Sequence, residues 1–153
     1  MYFKRKAYDE LKEWKEQYAD KYAVLLEGAR RVGKSTIAEQ FAQKEYKSYI
    51  LIDFSKTSEE MLACFDDIHN PDMFFLRLQA ITGINLYQHE SVIIFDEVQE
   101  TPKALTALKY FYEKANQYHI VAAGSLLGVA MHEGASFPVG KVDFLDLYPL
   151  NFL

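Results

Sequence analysis

Residues 27–36 read EGARRVGKST, and Gly28, Gly33, Lys34 and Ser35 within them satisfy the spacing G-x-x-x-x-G-K-[ST]. The run before this stretch, YAVLLEG, has the length and apolarity of a short buried strand. After it, Ile37, Ala38, Phe41 and Ala42 recur on one face of a helix. A strand, a glycine-bounded loop and a helix in that order make a cradle for phosphate. The loop turns its backbone N–H groups inward, glycine permits the dihedrals and the close approach, and the positive end of the helix points at the anion. The cradle comprises Gly28, Ala29, Arg30, Arg31, Val32, Gly33, Lys34, Ser35 and Thr36. In it Lys34 reaches the β- and γ-phosphates, Ser35 ligates Mg²⁺ and Thr36 supports the α-phosphate. Arg30 and Arg31 stand at the crown, where they touch nucleotide, meet a neighbouring subunit or remain solvated.

A second acidic element complements the first. SVIIFDE (91–97) is an apolar strand that ends in two acids, the Walker B pattern. Asp96 is the candidate to hold Mg²⁺, and Glu97 the candidate to polarise an attacking water. One strand, SYILIDF (48–54), lies between the two motifs and another, HIVAAG (119–124), follows them. An acid directly after the Walker B aspartate marks the additional-strand P-loop ATPases. In that class the strand 119–124 lies between the P-loop strand and the Walker B strand. Ser125 at its end then faces the γ-phosphate, or caps the next helix. Asp53, at the end of 48–54, is a candidate support for the metal.

The rest of the chain fits alternating strands and helices. Tyr8, Leu11, Trp14 and Tyr18 predict an amphipathic helix over 6–18. Thr57 and Glu60 have capping-box spacing before a short helix through Met61, Leu62 and Phe65. Asn70-Pro71-Asp72 starts another helix, which Gly83 stops. Thr101-Pro102 opens one bearing Leu105, Leu108, Phe111 and Tyr112, and KVDFLDLYPL (141–150) supplies a fifth strand. The expected fold is α/β, a parallel five-stranded sheet of order 5-1-4-3-2 with helices on both faces. Residues 1–153 read as one domain.

Composition removes several classes. A net charge of −5 argues against a general nucleic-acid coat, which needs a basic face, and leaves room for a local basic patch such as FKRK near the start. The single cysteine, Cys64, forbids an intrachain disulfide, reads as a packed thiol and fits a reducing cytoplasm. No apolar run reaches the roughly 18 residues of a membrane helix. HEGAS is not a zinc H-E-x-x-H motif, and no N-K-x-D guanine signature is present. The four arginines, Arg5, Arg30, Arg31 and Arg77, do not make the arginine-rich lid of a small-molecule kinase. Hydrolysis is therefore favoured over phosphoryl transfer.

EGARRVGKST, IIFDEVQ, AAGSLLG and SFPVGKVDFLDLYPLNF, in this order, resemble the AAA-like ATPase domain of bacterial and archaeal proteins that carry a C-terminal DUF4143 domain. The resemblance runs from about Phe3 to Phe152. It implies ATP and Mg²⁺ as ligands, and a C-terminal domain beyond the apolar end YPLNFL. Some of the 11 Phe, 11 Tyr and one Trp then dock onto that domain, or else all fill this core. It implies a larger assembly, a homo-oligomer among the options, whose client is nucleic acid or protein. Lys141 stands where relatives often have arginine, and lysine is the poorer bidentate partner. Weak ATP hydrolysis in isolation is expected. The alternative is a nucleotide-gated switch with negligible turnover.

Overall fold

The computed structural model describes residues 2–28, 34–124, 140–142 and 145–150. The strands are β1 (Ala23–Gly28), β2 (Ser48–Asp53), β3 (Ser91–Asp96), β4 (His119–Gly124), β5 (Gly140–Val142) and β6 (Leu145–Leu150). The helices are α1 (Tyr2–Gln17), α2 (Lys34–Glu45), α3 (Glu59–Ala63), α4 (Pro71–Thr82) and α5 (Pro102–Lys114). Short 3-10 turns span Cys64–Asp67 and Val98–Glu100.

The sheet order is β2-β3-β4-β1-β6-β5. The first four strands are parallel and run in the expected succession, with β4 between β1 and β3. The expected fifth strand takes its expected place beside β1 but not its expected direction. Residues 140–150 instead form an antiparallel pair, and β6 lies antiparallel to β1 through pairs from Ala23–Leu150 to Gly28–Leu145. Among the described strands the sheet is therefore mixed, with β6 running against the other five.

Alternation along the strands sorts side chains to two faces. Val24 and Leu26, Val92 and Ile94, and Val121 and Ala123 point to one face, where they meet Ile37, Ala38, Phe41 and Ala42 of α2. Ala7, Leu11 and Trp14 of α1 complete that layer. Helix α1 begins earlier than the periodicity predicts. Tyr8 hydroxyl donates to Glu45, and Lys15 Nζ donates to Glu45 O at 2.7 Å, tying α1 to the end of α2.

Leu25, Ile50, Ile52, Ile93, Phe95, Ile120 and Ala122 point to the other face, onto α4 and α5. That core is aromatic. Phe74 lies 4.9 Å from Phe65, 5.3 Å from Phe75 and 4.8 Å from Phe111, centroid to centroid. Phe54, Phe65, Phe74, Phe75, Phe95 and Phe111 are all buried in it, while Phe41 is buried on the other face.

Two helix starts follow local chemistry. Asn70 accepts from Met73 N–H ahead of Pro71, and Gly83 ends α4 at φ 71°. For α3 the cap is Ser58 rather than the expected Thr57. Ser58 Oγ accepts from Met61 N–H at 3.1 Å, while Thr57 Oγ1 donates to Asp53 O at 2.8 Å. Thr57 closes the turn after β2, which leaves the capping role to its neighbour.

Candidate functional site

The parallel strands end side by side. Register pairs Asp53 with Asp96, Asp96 with Ala123 and Glu27 with Gly124, so the carboxyl ends of β2, β3, β4 and β1 form one rim. In an open α/β sheet this rim is where ligands bind. Helix α2 begins at the same rim with Lys34, whose residue is 7% exposed. Lys34 Nζ donates to Gly124 O at 3.4 Å. Ser35 is half-buried in the first turn of α2 and Thr36 is exposed. Of the cradle, Ala29 to Gly33 lie outside the described residues, as does Ser125.

Asp96 is half-buried at the end of β3. Its carboxyl is pushed up to about 6, first by burial and then by the charges of Asp53 and Glu97. The Glu97 N–H, which donates to Asp96 Oδ1 at 3.0 Å, and the Lys34 ammonium act the other way. A cation beside Asp96 would favour its ionised form. Asp53 spends Oδ1 on the N–H and hydroxyl of Ser55, at 2.9 and 2.6 Å, which fixes its carboxylate beside Asp96.

The donor chemistry fits Mg²⁺. Ser35 and Asp96 offer hard oxygens only. Among the described residues no group of three or more His, Cys, Asp or Glu is placed to hold a metal unaided. Mg²⁺ bound through one or two protein oxygens plus substrate phosphates needs no such group.

Glu97 adopts the left-handed conformation, φ 55° and ψ 47°, between β3 and the turn Val98–Glu100. Its carbonyl accepts from Glu100 N–H at 3.0 Å. For a non-glycine residue this conformation costs about 1–3 kcal/mol and gathers at functional positions. Gln99 Nε2 donates to Glu97 Oε2 at 3.1 Å.

The structure therefore brings together Lys34, Asp96, Glu97 and the end of β4, with Asp53 beside them. Sequence reasoning overlooked Gln99. Its only signal was the Q of DEVQ, which has no meaning until β4 is seen against it.

The remaining candidates lie elsewhere. Cys64 is buried, and burial pushes its thiol up, as for a packed residue. Arg77 is bound to Asp67 on the outer face of α4. Among the described residues no helix is long and apolar enough to cross a membrane.

Comparison with known proteins agrees with this architecture. The family model described as AAA domain (AAA_14) matches residues 20–153. An uncharacterized protein of Methanocaldococcus jannaschii, MJ1637, is 31% identical over 128 residues, covering 80% of this chain and 26% of that protein. The chain thus spans about a quarter of that relative. Among solved structures, the Walker-type ATPase PABY2304 of Pyrococcus abyssi matches with a TM-score of 0.51 and 21% identity, over 82% of this chain and 45% of that one. That likeness speaks to fold. With the family model covering all but the first helix, the chain belongs to the AAA domain family: it is an AAA-like P-loop ATPase domain.

Proposed function

We propose that the chain binds Mg-ATP at the rim and hydrolyses it, slowly on its own, to drive a conformational change in a larger assembly. The observation that carries the reading is the meeting of Lys34, Asp96 and Glu97 at the ends of adjacent elements, with the Asp96 carboxyl raised first by burial and then by Asp53 and Glu97. Lys34 and the N–H groups opening α2 neutralise phosphate charge. Ser35 and Asp96 are the residues that hold Mg²⁺, which when bound screens the β- and γ-phosphates and the rim carboxylates. Glu97 accepts a hydrogen bond from the attacking water and aims it in line with the leaving oxygen. Lys34 leaves Gly124 O to follow the phosphates. Gly28 to Gly33, Thr36 and Ser125 complete the cradle, with Ser125 at the γ-phosphate. A C-terminal domain like that of DUF4143 proteins completes the whole protein.

The test is ATP binding and turnover by the chain beside Lys34→Ala and Glu97→Gln. Lys34→Ala is expected to weaken binding. Glu97→Gln is expected to lower kcat by about 10²–10⁴ at unchanged affinity, the usual contribution of a positioned base. Failure of the wild-type chain to bind ATP refutes the reading.

One observation favours the second reading, a switch with negligible turnover. No arginine follows Arg77 in the sequence, and Arg77 is engaged by Asp67. A finger arginine contributes about 10³–10⁵ in rate where one exists. Tight binding without turnover in the wild type selects the switch.

A further inference from the structure

We infer that Gln99 is the positioning residue for Glu97, and that it ties the direction of the Glu97 carboxylate to the end of β4. The inference rests on the hydrolytic reading of Glu97 above and gives a role to the last residue of IIFDEVQ, to which the sequence reading assigned none.

An ionised carboxylate accepts only, so the Gln99 amide must turn its NH₂ group toward Glu97. The contact, Nε2 to Oε2 at 3.1 Å, has that sense. The amide oxygen Oε1 then faces the other way, and there it lies against Gly124. A Cβ placed on Gly124 would fall well inside 3.0 Å of that oxygen. The same Cβ would stand 3.2 Å from Val98 Cγ1 and 3.3 Å from Val98 N. The backbone at Gly124 does not have a positive φ, so conformational freedom does not explain the glycine. The space its missing side chain leaves is what seats the glutamine amide.

The neighbouring residues hold the arrangement. Val98 is fully buried and anchors the 3-10 turn. The left-handed backbone of Glu97 sets the direction of its Cβ. What remains free to the glutamate is its own side-chain rotation, and the amide of Gln99 acts on that rotation. A carboxylate that must align water gains from such a restraint, because misplacement of the order of 1 Å is costly in rate.

Gly124 also touches the phosphate side of the site, since its carbonyl accepts from Lys34 Nζ at 3.4 Å. One residue thus borders both the lysine that meets phosphate and the amide that aims the base. A displacement of the β4 end on nucleotide entry reaches Glu97 through Gln99.

The experiment compares the 153-residue chain with Gln99→Glu and Gln99→Met, each alone and with Glu97→Gln. Gln99→Glu keeps the shape but replaces the donor by an acceptor, and Gln99→Met keeps the length without polarity, so either serves if the other fails to fold. Steady-state kcat, ATP affinity, single-turnover rate and melting temperature are measured. The expected result is a fall in kcat of about 10–100-fold, part of a general base's full contribution, with ATP affinity within about twofold. Gln99→Met in the Glu97→Gln background is expected to change the single-turnover rate by less than about threefold, because the two act as a unit. A wild-type kcat in both Gln99 variants overturns the inference. So does an equal loss in the Glu97→Gln background, or a fall in affinity and melting temperature parallel to kcat. An inactive wild-type chain instead removes the ATPase reading itself, and the inference with it.

Discussion

Replacing Gly124 by alanine inserts one methyl group where β4 meets the turn Val98–Glu100. The methyl meets Val98 Cγ1 at 3.2 Å and Val98 N at 3.3 Å, contacts that a shift of a few tenths of an ångström relieves. The amide end of Gln99 is flexible and gives way most readily, and its rotation away from Gly124 is expected to break the hydrogen bond to Glu97. A hydrogen bond to a charged partner contributes about 1.5–3 kcal/mol when buried, and the half-buried Glu97 belongs at the lower end. Alanine returns about 0.4–1 kcal/mol by narrowing the unfolded ensemble. The net loss is about 1 kcal/mol, a fall in melting temperature of about 2–4 °C for a chain of this size. The effect on rate is larger than that loss suggests. With Gln99 displaced, kcat falls by the same about 10–100-fold expected of the Gln99 variants, while ATP affinity is expected to hold because Lys34 itself is unchanged. Thermal melting, equilibrium ATP binding and steady-state turnover on one preparation read all three quantities. A wild-type kcat in Gly124→Ala, whatever its melting temperature, would refute the reasoning.

His119 gives the chain a pH dependence far from the rim. Its Nε2 lies 2.9 Å from Asp20 Oδ1 and its Nδ1 2.6 Å from Tyr46 hydroxyl; in the neutral ring Nε2–H donates to Asp20 and Nδ1 accepts from Tyr46. Burial pushes its pKa down, against the hydrogen bond and charge of Asp20. The unfolded chain therefore binds the proton first as pH falls through about 6.5. Stability is lost from there down to the folded value, at no more than about 1.4 kcal/mol per pH unit. Denaturant midpoints at pH 7.5 and 5.5 are expected to converge in His119→Gln; an unchanged difference assigns the effect elsewhere. Asp96, raised to about 6, works in the opposite direction, its share being lost as pH rises through that value. Phe74→Ala, at a fully buried ring, is expected to lower unfolding free energy by about 3–5 kcal/mol in chemical denaturation. Leu76→Ala on the same helix, 62% exposed, is expected to stay within about 0.5 kcal/mol. Ser58→Ala is expected to cost about 1 kcal/mol by the same measurement, through loss of the α3 cap.

The parallel strands were legible because strands buried on both faces read as unbroken apolar runs, as SVIIFD does. Their order followed from the acid after the Walker B aspartate, the mark of the additional-strand class, in which 119–124 lies between the P-loop strand and the Walker B strand. The direction of residues 145–150 was not legible. Side-chain alternation is the same in a strand running either way, and direction is set by the connection that leads into it. The cap of α3 failed for a narrower reason. Thr57 and Ser58 are adjacent hydroxyls, and the carbonyl of Asp53 that engages Thr57 is a tertiary fact. At the site, Lys34, Asp96 and Glu97 announce themselves by spacing within motifs. Gln99 does not, because its role depends on a space at Gly124 that lies on another strand.

The central place of β1 has a consequence for how the domain comes into being. β3 and β4 pair Val92 with His119, across one helix. β2 and β3 pair Ser48 with Ser91, somewhat further apart in the chain. The two neighbours of β1 are far more remote: Val24 lies beside Val121 on one side and Pro149 on the other. Loop closure over such separations is entropically dear and slow. The pairing of β1 with β4 and β6 is therefore expected to form later than the pairing among β2, β3 and β4. On this expectation a ligand held at the rim where β1 ends favours the last pairings to form.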